Sequence, residues 1–322
     1  MPCAGSPYHG FTCYPNHCPS SAVNQCSYLS SQSLQSPIHN PERMRILTTP
    51  RRALTTPEKR DYISAVQCLQ SQPSNLTSLL PGSISRFEDF LGTHIVSTNS
   101  VHFVGHFQPW HQYLVATYER ELRQKCGYKG AQPYWDWTLD VTTNSSIFSA
   151  PVLDPDTGFG GNGPYVNNAF TPRLAIPGRT GGGCITSGPF ANLTLHLGPG
   201  TNVENNPHCL TRDISPLVTN KALSFAAVNA TLDAADFCSF DIAHGGVHLG
   251  IGGELGTIAD VYSSPGDPLF YLHHAQMDRL WWKWQQMDPE RRLKDIAGPD
   301  TGSRIRLISK GTGRLQECHD GF

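Results

Sequence analysis

Eight of the fourteen histidines fall in two short windows of the chain. The first holds His94, His102, His106 and His111; the second holds His244, His248, His273 and His274. Neutral imidazole is the commonest metal ligand and suits copper, zinc, iron and nickel. One buried histidine usually means only a core residue that has found a hydrogen-bond partner. Eight in two clusters call for a different explanation. His244-Gly-Gly-Val-His248 sets two rings one helical turn apart, a spacing that lets both grip one ion. Zinc proteases use that spacing with Glu after the first His, but Gly245 stands there, so their general base is missing. His274, from the next helix, completes one set of three. His94, His102 and His111 make the other, with Pro109 as the break that lets 102 and 111 converge. Two all-imidazole sites without cysteine or carboxylate favour copper by the affinity order. Two ions held ~3.5–4 Å apart can bridge one small ligand.

Helices must carry these residues. Thr55-Thr56-Pro57-Glu58 reads as a helix start, with Tyr62, Ile63, Val66 and Leu69 on its apolar face. A second helix is expected at about 84–97, with His94 on its buried stripe, and a third from Pro109 to about Lys125. Pro133-Tyr-Trp-Asp-Trp137 must be buried. Residues 139–220 are rich in Gly, Asn, Pro, Ser and Thr and read as long loops that Cys184 and Cys209 could close. A fourth helix is expected at about 217–228. The fifth contains His244 and His248 and ends at Gly250–Gly253. The sixth is Asp267-Pro-Leu-Phe-Tyr-Leu-His-His-Ala-Gln-Met-Asp278, followed by Arg279-Leu-Trp-Trp. Residues 1–43 read as an irregular Cys-, Ser- and Pro-rich arm.

The 322 residues carry a net charge of −2 with acids and bases interleaved. No basic stripe suggests nucleic acid, and no apolar run spans a membrane. Ten cysteines without a Cys-x-x-Cys pair read as disulfides. Sequons at Asn75, Asn144, Asn192 and Asn229 agree with a secreted glycoprotein, although Met-Pro-Cys-Ala-Gly-Ser at the start is no signal sequence.

With these motifs in place, the chain resembles the tyrosinase/catechol oxidase/haemocyanin family of type 3 binuclear copper proteins. His94, His102-x8-His111 and Phe107-x-Pro-Trp-His111 resemble its copper A motif. His244-x3-His248 and Asp267-Pro-x-Phe270-x3-His274-x3-Asp278 resemble its copper B motif. Gly188-Pro-Phe190, Leu197-Gly-Pro199 and Cys209-Leu-x-Arg-Asp213 are similar to short secreted fungal polyphenol oxidases. The resemblance covers about 54–300. It implies a mainly α fold, a four-helix bundle holding the copper pair amid long loops and few short strands. It places the copper domain at 44–302 and leaves 303–322 as an atypical tail without the family's Cys-Tyr-x-Tyr segment.

The resemblance implies two copper ions, one on His94, His102 and His111, the other on His244, His248 and His274. His273 is excluded, and His106 lies beside the ligands without binding. Phe270 resembles the aromatic packed over the site and Val261 the gate residue at the substrate entrance. Asp278 and Glu119 are expected to orient imidazoles. Ser100 replaces the cysteine that forms a thioether in many fungal members, and Gln112 replaces an Arg. Strong monophenol hydroxylases often carry Asn or Asp where Gly245 stands. The expected activity is therefore oxidation of o-diphenols to o-quinones with O2, with monophenol hydroxylation weak or absent. The alternatives are a true monophenol-hydroxylating tyrosinase and haemocyanin-like O2 binding. The expected partners are O2 and small phenols, not nucleic acid or membrane.

Overall fold

The computed structural model describes residues 49–142, 146–167, 175–241 and 245–296. The expected arm at 1–43, the tail at 303–322 and His244 lie outside the described residues.

Helix α1, Thr56–Ser71, begins with a capping box: the Thr55 hydroxyl accepts from the Glu58 amide, and the Glu58 carboxylate accepts from the Thr55 amide at 2.8 Å. Its stripe of Tyr62, Ile63, Val66 and Leu69 is buried. Helix α2, Arg86–Val101, is capped by Ser85 and runs one turn longer than the sequence pattern indicates. Helix α3, Phe107–Cys126, ends at Gly127, whose φ of 70° is the left-handed value that glycine adopts without strain. Here a sequence expectation is corrected. Pro109 sits inside the first turn of α3, where its missing N–H has no carbonyl to serve. The break between His102 and His111 is made by residues 102–106 instead.

The fourth helix expected at 217–228 is two helices, α4 Pro216–Ala222 and α5 Phe225–Leu232. Ser224 divides them, because its hydroxyl caps the second by accepting from the Ala227 amide. Helix α6 is Phe237–Asp241 and α7 is Gly245–Gly252. A Cβ at Gly250 would stand 2.8 Å from the Thr219 methyl, so glycine there lets α7 lie close against α4. Helix α8, Leu269–Gln286, opens with Pro268 at its cap, and every residue from Leu269 to Asp278 is buried. Its first ten residues are buried on every side because other elements surround them, and the polar His274 and Asp278 there face the imidazole cluster and the facing helix. A short α9, Pro289–Arg292, follows.

The long helices α1, α2, α3 and α8 form the bundle. Tyr118 of α3 stacks on Tyr271 of α8 at 3.6 Å, with Phe87 of α2 edge-on to both. A Cys68–Cys126 disulfide ties α1 to the end of α3. Tyr134, Trp135 and Trp137 are buried as expected. The strands are few and short: β1, Thr194–Leu195, pairs antiparallel with β2, His208–Cys209. The Cys184–Cys209 disulfide closes the loop region. Arg212 anchors that region to the helices. Its guanidinium grips both Asp267 carboxylate oxygens at 2.8 and 2.9 Å, and both side chains are fully buried. Asp267 in turn accepts from the Leu269 amide, so the start of α8 is held from two sides. No helix among the described residues is long and apolar enough to cross a membrane.

Candidate metal centre

Helix α2 presents His94 from its buried stripe and His102 from its terminal cap, and α3 presents His111 from its second turn. The three rings form a compact triangle with centroids 5.0, 5.1 and 5.5 Å apart. They are 0, 7 and 2% exposed for His94, His102 and His111. Each Nδ1 donates to a main-chain oxygen: His94 to Tyr262 at 2.7 Å, His102 to Thr98 at 3.0 Å, and His111 to Phe107 at 2.9 Å. A carbonyl accepts only from N–H, so this fixes the tautomer and leaves the Nε2 lone pairs for a ligand. The Nε2 atoms of His94 and His111 lie 3.4 Å apart, and one nitrogen from each of the three rings lies within 4.8 Å of the others.

A second group lies beside the first. His248 of α7 donates from Nδ1 to the Ile258 carbonyl at 2.6 Å, which again leaves Nε2 as the lone pair. Nitrogens of His248, His273 and His274 lie within 4.8 Å of one another. His244 lies outside the described residues. The structure thus brings His273 closer to the cluster than the resemblance implies. Its ring lies edge-on to His248 at 4.9 Å and tilted against Trp137 at 5.3 Å. His111 and His274 stack at 4.5 Å and 12°, which joins the two groups.

Phe270 is fully buried among the imidazoles, 4.1 Å from His274, 5.3 Å from His94 and 6.2 Å from both His111 and His248. Gly245 is the first residue of α7, and among the described residues beyond its chain neighbours and its own helix backbone no atom lies within 4 Å of where its Cβ would stand. Val261 is 36% exposed and precedes Tyr262, whose carbonyl holds His94. His106 donates to the Ser100 carbonyl at 2.8 Å from an exposed position.

The two carboxylates expected to orient imidazoles stand on the two helices whose imidazoles stack, Glu119 on α3 and Asp278 on α8. Asp278 accepts a hydrogen bond from Gln112. Glu119 forms an ion pair with Arg123 at 3.5 Å, one turn along α3. It stands eight residues beyond His111, about 12 Å along the helix. Backbone carbonyls hold four of the imidazoles, and side-chain patterns do not announce them. Sequence reasoning also passes over Trp110, whose ring packs on His111 at 4.8 Å and His94 at 5.8 Å. It passes over Phe107 as a wall residue too, 4.3 Å from His111 and 5.5 Å from His102.

Burial drives the imidazole pKa values down. His102 and His248 fall to about 4, chiefly by desolvation, with the backbone bonds to Thr98 and Ile258 opposing. His94 and His111 fall well below the ordinary range, again first by burial and then by neighbouring imidazoles. Rings kept neutral near pH 7, with fixed tautomers and converging Nε2 atoms, are what a borderline-soft divalent or cuprous ion requires. The donor set fits copper.

A model of the common central domain of tyrosinase matches residues 84–287. The chain belongs to the tyrosinase family. The tyrosinase-like protein phomQ1 of Diaporthe leptostromiformis is 38% identical over 262 residues, covering 77% of this chain and 64% of that protein. The chain thus spans a little under two thirds of that relative's length. Tyrosinase P of Aspergillus terreus is 30% identical over 283 residues, covering 77% of this chain and 78% of that protein. Among solved structures, a polyphenol oxidase mutant from Thermothelomyces thermophila is 35% identical with a TM-score of 0.71, covering 79% of this chain and 77% of that one. The tyrosinase-family cofactor is a pair of copper ions, and the imidazole groups of this chain can hold metal.

Proposed function

We propose that the chain oxidises o-diphenols to o-quinones with O2, two catechols per O2 giving two quinones and two waters, with monophenol hydroxylation weak or absent. His94, His102 and His111 would hold one copper; His244, His248 and His274 would hold the other. A copper pair bound there supplies O2 binding and two-electron oxidation of the catechol. The observation that carries this reading is the joining of two buried imidazole groups by the His111–His274 stack.

The chain's own residues prepare the site. Four Nδ1–H bonds to carbonyls hold the rings in place, so metal binding need not reorganise them. Phe270 and Phe107 fill the space between rings and keep water out. Gly245 brings no group that could take a proton from a monophenol, which ranks catechols first as substrates. Val261 stands at the substrate entrance in this reading. Two disulfides among the described residues support an oxidising, secretory compartment. Initial rates on a monophenol and on the matching catechol test the ranking. Faster catechol turnover is expected; equal or faster monophenol turnover would overturn it.

A further inference from the structure

Phe103 is the only non-glycine with positive φ among the described residues, at 57°. An aromatic side chain in the left-handed region is strained by its own Cβ, whereas Gly or Asn sits there at little cost. The direction of the ring has a simple cause. His102 must turn inward to bond the Thr98 carbonyl, and Val104 must turn inward to the core, so the residue between them is thrown outward. That explains an outward side chain but not a phenylalanine. Its ring is 58% exposed, while most of the described phenylalanines are buried. It lies 6.5 Å from the His102 ring, tilted by 53°. His102 is also the imidazole of its group most open to solvent.

A strained backbone holding an exposed aromatic beside His102, the least buried imidazole of its group, marks a contact kept for use. We propose that Phe103 is a substrate-positioning residue, its ring stacking on the aromatic ring of the incoming phenol. The proposal rests on the diphenol-oxidase reading for the identity of the substrate.

The test uses copper-loaded protein, 4-tert-butylcatechol as substrate and benzoate as a non-oxidisable aromatic probe. Phe103→Gly and Phe103→Leu should raise KM by about three- to tenfold, the size of one aromatic pair, with a smaller change in kcat. The benzoate Kd should rise by the same factor, and Phe103→Trp should restore both. Phe103→Gly should melt no lower than wild type, because the strain is gone. Unchanged KM and benzoate Kd in the Gly and Leu variants would overturn the proposal, as would a marked loss of Tm in Phe103→Gly, which would make the ring structural. If the wild type binds benzoate but oxidises no catechol, the diphenol-oxidase reading falls, and the benzoate Kd of the variants still decides the role of Phe103.

Discussion

Gln112 donates its side-chain amide to the Asp278 carboxylate, bridging α3 to α8 one residue beyond His111 and one turn beyond His274. The bond therefore ties together the two helices whose imidazoles stack. Asp278 is 7% exposed, so removing Gln112 takes a hydrogen bond away from a buried carboxylate. Gln112→Leu should cost about 1–3 kcal/mol in a urea titration. Gln112→Arg should recover that loss by pairing charge with charge. An unchanged midpoint in Gln112→Leu would show the bond to be idle.

His274→Ala should reduce copper from two ions per chain to one, because the second group loses its ring from α8. Metal analysis on protein purified under copper-replete conditions reads this directly. His273→Ala should keep two. Two coppers in His274→Ala with one in His273→Ala would reverse the assignment within the adjacent pair.

Gly245→Asn should fold as well as wild type, since its Cβ meets no other element among the described residues within 4 Å. It should raise the ratio of monophenol to catechol turnover by placing a hydrogen-bonding group beside His244. A ratio at or below the wild-type value would remove Gly245 from the account of selectivity.

Acid should destabilise the copper-free protein through the same imidazoles that bind metal. His102 and His248 titrate at about 4 in the fold, against an ordinary 6.5. Between those values the unfolded chain holds more protons than the folded one, so stability rises with pH across that window and is lost as pH falls through it. Each imidazole contributes about 3 kcal/mol at full effect. Urea midpoints of metal-stripped protein at pH 7 and pH 5 should differ clearly, the lower at pH 5. Equal midpoints would contradict the buried, neutral state of the rings.

Much of this was legible in the residues because it depends on period and type. The cap of α1, the buried stripe of α2 and the aromatic-rich α8 are local patterns that packing obeyed. The two disulfides differ in this respect. Cys184 and Cys209 bracket a loop-rich stretch and suggested their own pairing. Cys68 and Cys126 sit on separate helices 58 residues apart, and only the packing of α1 on α3 brings them together. The turn after His102 was misplaced onto Pro109 because proline is a visible breaker, whereas a phenylalanine at positive φ leaves no mark in a sequence. Glu119 and Asp278 looked like orienters because carboxylates are the orienting groups that side-chain lettering reveals. Glu119 pairs with Arg123 on its own helix and Asp278 accepts from Gln112 on the facing one, while main-chain oxygens hold four of the rings.

The carbonyls of Thr98, Phe107, Tyr262 and Ile258 orient four of the rings, and this has an evolutionary consequence. Every amino acid brings the same main-chain oxygen. No single-codon change at those four positions deletes the acceptor that sets each ring's tautomer. A lineage can therefore vary the walls of this cavity, and with them the phenols it admits, while the protonation pattern of its metal-binding nitrogens is inherited intact.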